Sequence, residues 1–321
     1  MEWHRRIQKM IDLIDDCIRQ KNDEAVTLQD LAKELECSEF HMSRRFKEIT
    51  GMQYRDYLRQ RRLAFACKAL RDTEKGCLEI ALDYGFSSQE AFTRSFKKAY
   101  GLTPGEYRRH PVPLALRTVI RPLDCYLTAN GKLGEQETMA EVKTYFVTIP
   151  AHQFLHIRNY ESIGYWDFWQ KQSLIPGQDC ETICGLLDSI PDKLDAIDSG
   201  DPFSGQIMGF LNDPAGRICS WGIPLAECYG VRLPLDYQGP VPEQMQLMQV
   251  AEGEYLVFEH GPFDYEKEMM AVEAKMEKAM RDFDYAASGY SLDLTPGRIF
   301  YYYHDDKRYW KYIRPVKKSS L

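Results

Sequence analysis

Residues 85–109 read GFSSQEAFTRSFKKAYGLTPGEYRR. Phe92 and Phe96 stand four apart, Ser87 and Ser88 precede them and Gly101 follows. That pattern predicts a capped helix over QEAFTRSFKKAY that buries one narrow apolar stripe. The same stretch holds five basic residues, Arg94, Lys97, Lys98, Arg108 and Arg109. A basic helix is ordinarily a solvated face, so its meaning depends on the sequence around it.

That context is a repeat. SEFHMSRRFKEITG from Ser38 aligns with SSQEAFTRSFKKAYG from Ser88 as S-x-x-x-x-(M/F)-(S/T)-R-x-F-K-x-x-x-G, ending at Gly51 and Gly101. A short helix precedes each unit, LQDLAKEL behind Thr27 and LEIALDY ending at Gly85. A longer helix, Tyr54 to Leu70, joins them, and Trp3, Ile7, Met10, Ile11, Ile14, Cys17 and Ile18 form the apolar stripe of an opening helix. Two short helices around a tight turn, used twice, is a doubled helix-turn-helix whose second helices are placed to enter a major groove.

The chain has 321 residues, 44% hydrophobic and 28% charged, which suits two globular domains. The opening MEWHRRIQKMIDLIDDC threads charges through its apolar residues and lacks the apolar core of a secretory signal. No uncharged apolar run approaches the ~18 residues of a spanning helix, so a cytoplasmic chain without membrane partners is expected. Nine scattered cysteines predict reduced thiols, and the lone C-x3-C of Cys180 and Cys184 lacks the second pair of a zinc site. The net charge of −7 conceals a split. Residues 1–110 hold 21 Lys+Arg against 18 Asp+Glu, or +3, and the remainder 20 against 30, or −10. Such asymmetry points to a nucleic-acid module joined to something else.

From Pro111 the character changes, and residues 111–140 read as a linker of prolines followed by a Gly/Asn/Gln/Glu cluster. Beyond it, VKTYFVTIPAHQFLHIRNY and MQLMQVAEGEYLVFEHGPF each predict two strands around a turn. Each is followed by a helix, in IGYWDFWQKQ and YEKEMMAVEAKMEKAMRDF, and then by strands, in ICSWGIPLAECYGVRL and RIFYYYHDDKRYWKYIRPV. Residues 141–321 are thus expected to form a pseudo-duplicated α+β domain.

The stretch EIALDYGFSSQEAFTRSFKKAYGLTPGEYRR, residues 79–109, resembles the AraC family of bacterial transcription regulators. Ile80, Ala81, Gly85, Phe86, Ser87, Phe92, Arg94, Phe96, Lys97, Gly101, Thr103, Pro104, Tyr107 and Arg108 carry the resemblance, which extends over about residues 5–110. The first unit departs from it at Glu36-Cys37, where the family often has Gly and an apolar residue. Residues 141–318 resemble the GyrI-like effector-binding domain through Gly253, Tyr255, His260, Gly261, Pro262, Phe263, Ser288-Gly289-Tyr290 and Ile313–Pro315–Val316. Phe300 or Tyr301 stands where that family often places a carboxylate. An AraC-type reader, residues 1–110, before a GyrI-like domain is the architecture of the Rob-type subgroup.

The resemblance implies that Phe40, Ser43 and Arg44 in the first unit, and Gln89, Glu90, Thr93 and Arg94 in the second, face the groove. Arginine takes guanine O6 and N7 together, glutamine pairs with adenine and glutamate accepts from cytosine N4. Phe40 either meets a thymine methyl or serves as a core or rim aromatic, and Arg44 and Arg94 read bases, lie along phosphates or pair with a carboxylate of the domain. Lys47, Arg61, Arg62, Lys97, Lys98, Arg108 and Arg109 are assigned to phosphates, which supply register and affinity without sequence information. Double-stranded promoter DNA is the expected partner, and two readers per chain make a monomer sufficient without excluding a homodimer.

In the second domain Trp166, Trp169, Trp221, Tyr229, Tyr255 and Tyr301 are candidates to line an effector cavity around a carboxylate, Glu227, with Glu259 as second choice. Aromatic rings with one buried carboxylate suit a hydrophobic or cationic small molecule. Glu227 lies either there or on an exposed strand face. His152 and His156 fall on a strand at i and i+4, about 13 Å apart and beyond shared metal ligation. No nucleophile elbow, P-loop or H-E-x-x-H is present. No cofactor, metal or catalytic residue is expected. Effector binding there is expected to change DNA affinity or contact with RNA polymerase; the alternatives are that this domain hydrolyses a small molecule or serves as a protein-interaction module.

Overall fold

The computed structural model describes residues 1–21, 27–129, 141–195, 205–219, 222–304 and 309–319. The chain divides into two compact units, Met1–Lys132 with Cys184–Ser189, and Leu133–Ile183 with Ile190–Leu321.

The described elements of the first unit's long segment are helices: α1 (Glu2–Gln20), α2 (Leu28–Glu34), α3 (Glu39–Thr50), α4 (Tyr54–Asp72), α5 (Cys77–Asp83), α6 (Gln89–Tyr100), α7 (Pro104–Arg109) and α8 (Pro122–Ala129). Helix α8 lies within the segment read from sequence as a linker; Pro122 suits a first helical position because its missing N–H would be unbonded there anyway. The hydroxyls of Thr27, Ser38 and Ser88 cap α2, α3 and α6 by accepting the N–H of Asp30, His41 and Ala91. Such caps are each worth about 1 kcal/mol over alanine. Gly51 and Gly101 end α3 and α6 in the left-handed region, φ 74° and 81°, where a side chain would be strained. The α1 stripe Ile7, Met10, Ile11 and Ile14 is fully buried, as are Met42 and Phe46 of α3 and Phe92 and Phe96 of α6.

Among its described residues the second unit has nine antiparallel strands: β1 (Lys143–Ile149), β2 (His152–Asn159), β3 (Gln206–Ile218), β4 (Pro224–Leu233), β5 (Gln246–Val250), β6 (Gly253–His260), β7 (Tyr290–Leu292), β8 (Ile299–His304) and β9 (Trp310–Lys318). The order is β1-β6-β9-β8-β3-β4-β2-β5, with β7 on β9. Helices α9 (Tyr165–Gln172), α10 (Cys180–Ser189), α11 (Tyr265–Asp282) and α12 (Tyr285–Ser288) complete the described elements of the chain, with Cys184–Ser189 of α10 belonging to the first unit.

The two strand pairs expected around turns are present, but neither is a hairpin. β1 pairs β6 and β5 pairs β2, so each half lends its first strand to the other. Laid flat, β1 and β2 would be six strand spacings apart, about 29 Å. Only Pro150 and Ala151 connect them, a link that reaches about 11 Å at most. The sheet must therefore curl until its edges meet. Ile149 and Val147 from β1 share one buried cluster with Val250 and Met248 from β5 and with Phe154, Tyr255 and Tyr301. The other face of β6, β8 and β9 packs on α11 through Leu256, Phe258, Val272, Met276 and Trp310.

Strand β3 begins at Gln206, well before the Ile218 expected from sequence. Its middle, Asn-Asp-Pro-Ala-Gly, is a bulge, with Asn212 and Arg217 both opposite Leu225. A proline is tolerated there because the bulge leaves its missing N–H out of the ladder.

Candidate nucleic-acid interface and ligand site

Burying Phe92 and Phe96 turns the intervening residues of α6 outward. Gln89, Glu90, Thr93 and Arg94, all four expected groove-facing residues of this helix, line a single open cavity of about 220 Å³. Bonding from Ser88 holds the Glu90 carboxyl below the usual range, so it stays an ionised acceptor. On α3, Phe40 is 80% exposed, which disposes of a core role for it. Ser43 is half-buried and Arg44 exposed, with Arg44 Nε 2.7 Å from Glu48 Oε1.

Of the residues assigned to phosphates, Lys47, Lys97, Lys98 and Arg109 are exposed. Arg62 is half-buried and donates to the Gly85 carbonyl at 3.3 Å, and Arg108 donates to the Leu70 carbonyl at 3.1 Å. Arg61 is a correction. It is fully buried, chelates Asp15 of α1 through Nε and Nη2 at 2.9 and 2.5 Å, and bonds the Arg117 carbonyl. Its charge neutralises a carboxylate inside the unit and cannot reach a phosphate. A signal for this was available: Asp15 lies four residues after Ile11 and three before Ile18, on the buried stripe, and a buried carboxylate requires a buried cation.

In the second unit the expected aromatic lining is split by the sheet. Strand register sets Asn159, Glu227, Phe210 and Phe300 side by side in one row. The neighbouring row on that face runs Ile157, Tyr229, Met208, Tyr302, Tyr312 and Phe258. Trp169 of α9 meets Tyr229 edge-to-face at 4.8 Å, and Tyr165 meets both. Glu227 is 5% exposed, on the buried side of the two placements the sequence left open, and its Oε2 has no hydrogen-bond partner among the described residues. Trp169 Nε1 is likewise buried and unbonded. Asn159 beside Glu227 donates to the buried Gln172 of α9 at 2.8 Å.

Tyr255 and Tyr301 do not join this group. They lie on the opposite face, inside the curl, where alternation along β6 and β8 turns them into the core and the Tyr301 hydroxyl meets His152 Nε2 at 2.6 Å. Trp166 is 53% exposed on α9, at the rim beside Tyr165. Glu259 on β6 pairs with Lys311 and accepts from the Tyr145 hydroxyl, so it is already engaged. Trp221 lies outside the described residues. Sequence reading missed Tyr302 and Tyr312, whose rings are 4.8 Å apart; choosing between alternate residues of YYY needs the strand register. Phe300, one of the two candidates for the family's carboxylate position, is two strands from Glu227 in the same row.

His152 bonds the Pro150 carbonyl and Tyr301, His156 bonds the Phe154 carbonyl and Arg158, and both are buried.

A helix-turn-helix domain profile matches residues 31–110. The Right origin-binding protein of Escherichia coli K12 is 37% identical over 142 residues, 44% of this chain and 42% of that protein. The chain therefore spans less than half the length of that relative. The regulatory protein SoxS of Escherichia coli K12 is 36% identical over 108 residues, which cover 34% of this chain and 97% of SoxS. Among solved structures, the C-terminal domain of the response regulator yesN from Fusobacterium nucleatum is 37% identical over 30% of this chain and 95% of its own, with a TM-score of 0.28. A putative transcription regulation protein from Staphylococcus aureus is 16% identical over 55% of this chain and 98% of its own, with a TM-score of 0.35. With SoxS matched over 97% of its length and a helix-turn-helix profile over residues 31–110, the chain belongs to the AraC family of transcription regulators.

Proposed function

We propose that this protein is a transcription regulator that reads promoter DNA through α3 and α6 and senses a hydrophobic cation in its second unit. The observation that carries the DNA reading is the convergence of Gln89, Glu90, Thr93 and Arg94 on one exposed concavity, with Phe92 and Phe96 buried behind them. Three of these side chains suit base edges of different kinds: guanine for Arg94, adenine for Gln89 and cytosine for Glu90. The test is selection of bound duplexes from a random pool at about 0.15 M salt, with wild type and Arg94→Ala in parallel. A two-part motif that Arg94→Ala degrades in one half is expected, at about 1–3 kcal/mol for the lost contact. The same intact motif from both proteins would remove Arg94 as a reader.

The ligand reading rests on Glu227. A buried carboxylate oxygen without a partner costs about 1–3 kcal/mol or more, which a bound cation would offset. Tyr229, two residues on along the same face of β4, packs with Tyr165 and Trp169 in one ring cluster, and aromatic rings are what a delocalised cation prefers. Tetraphenylphosphonium and tetraphenylborate have the same shape and opposite charge, so titrating both separates charge from hydrophobicity. The cation alone should bind, and Glu227→Gln should weaken it about 10-fold or more, a difference of ~1.4 kcal/mol. Equal binding of both ions would overturn the assignment of Glu227.

A further inference from the structure

Helices α3 and α6 occupy equivalent places in the two units and share a short pattern: Arg44 corresponds to Arg94, Phe46 to Phe96 and Lys47 to Lys97, with Gly51 and Gly101 after them. Around this pattern the charges differ: Glu48 stands where α6 has Lys98, and Arg45 where it has Ser95. Both Glu48 oxygens are engaged, Oε1 by Arg44 Nε at 2.7 Å and Oε2 by Arg45 Nη1 at 2.8 Å. The Arg45 guanidinium also lies over the Trp3 ring of α1, 5.5 Å from its centre. Arg94 forms no ion pair among the described residues and lines the α6 cavity. Over their own lengths α3 carries three cations against two carboxylates, and α6 three against one.

We propose that Glu48 is a built-in counter-anion of the first reading helix: it clamps Arg44 and Arg45, DNA must displace it to recruit them, and the two half-sites are therefore read unequally. The inference rests on the DNA-reading function proposed above. A phosphate or a guanine edge competes with Glu48 for the same Arg44 donors, and the displaced carboxylate is left facing a polyanion. Exposed ion pairs of this kind are individually weak, so the clamp tunes binding by a modest factor and does not block it. Helix α6 then provides most of the salt-dependent affinity, and α3 engages only where the DNA holds its arginines more strongly than Glu48 does. Glu48 thus acts as a positioning residue for Arg44, through which it influences specificity.

The experiment measures binding of the full-length protein to its selected duplex and to a random duplex between 50 and 300 mM salt, for wild type, Glu48→Gln, Glu48→Lys and Glu34→Gln. Glu48→Lys copies Lys98, and Glu34→Gln removes the same charge from an exposed site on α2. At about 0.15 M salt Glu48→Gln should bind the selected duplex roughly 3- to 10-fold more tightly, and Glu48→Lys more tightly still. The slope of log K against log salt should steepen by up to about 1.8 in Glu48→Gln, since each phosphate newly neutralised contributes about 0.9. The random duplex should tighten by at least the same factor, lowering selectivity. The clamp itself is read without DNA from the Arg44 Nε–H and Arg45 Nη–H resonances, which should move in Glu48→Gln and stay in place in Glu34→Gln. Tightening no greater than that of Glu34→Gln, or unmoved arginine resonances, would overturn the proposal. If wild type selects no motif, the DNA reading fails and the clamp with it; a wild-type motif with unchanged Glu48 variants defeats the clamp alone.

Discussion

Glu36 holds the turn between α2 and α3 at φ 51°, in the left-handed region, where the turn between α5 and α6 has Gly85 at φ 71°. The hydrogen bonding of the two turns is the same. Glu36 and Gly85 reach back to the carbonyls of Lys33 and Leu82, and the following residues, Cys37 and Phe86, to those of Ala32 and Ala81. An L-residue in this conformation costs about 1–2 kcal/mol, and a glycine there returns part of the gain through the freedom of its unfolded chain. Glu36→Gly should therefore stabilise the helical unit by about 0.5–1 kcal/mol, or about 2–4 °C in melting temperature for a unit of this size. Thermal unfolding followed by circular dichroism checks it; an unchanged or lowered midpoint would mean the turn is not strained. The departure from family pattern at Glu36 is visible in the sequence, but its meaning, a positive φ on a charged residue, needs the backbone.

Among elements, the attachment of α1 to α4 turns on the Asp15–Arg61 pair, both buried and bidentate. Removing one member leaves the other as an uncompensated interior charge, so Asp15→Asn and Arg61→Met should each cost about 3–5 kcal/mol. Replacing both together, as Asp15→Leu with Arg61→Met, should recover much of that loss, because an apolar pair of similar volume carries no desolvation penalty. Urea unfolding of the two singles and the double measures this; a double as unstable as the sum of the singles would show that volume, not charge, governs the site. The helices themselves are legible because stripes, hydroxyl caps and terminal glycines agree along 1–110. The sheet is less so: β3 hides behind its Asp-Pro-Ala-Gly bulge, and the exchange of first strands between the two halves leaves no local mark. That exchange fixes which aromatic residues share a face, which is why sequence alone groups Tyr255 and Tyr301 with Glu227 although they lie across the sheet from it.

For the molecule as a whole, the curl of the sheet places titratable groups where water is scarce, and this sets how the second unit responds to acid. His156 is fully buried, donates Nδ1–H to the Phe154 carbonyl at 3.1 Å and accepts from Arg158, whose charge faces it. Burial, reinforced by that arginine, pulls its pKa from 6.5 down to about 4. Burial also lowers His152, which sits in the same interior against Tyr301. Between pH 6.5 and 4 the unfolded chain therefore binds more protons than the folded one, and stability falls as pH falls. At pH 5 the His156 share of that loss is about 2 kcal/mol relative to pH 7.5, at 1.36 kcal/mol per pK unit. In the helical unit Asp72 and Asp83 have lowered pKa values, held down against burial by Arg71 and Lys68 and by Lys21 and Lys75. Their stabilisation is complete above about pH 5 and is lost only in stronger acid. The two units should part company on acidification, with the sheet weakening first. Hydrogen exchange at pH 7.5 and 5.0, corrected for the intrinsic pH dependence, should show β2 losing protection while α4 keeps it, and His156→Gln should flatten the β2 response. Equal loss in both units, or an undiminished β2 response in His156→Gln, would place the acid sensitivity elsewhere than in this buried imidazole.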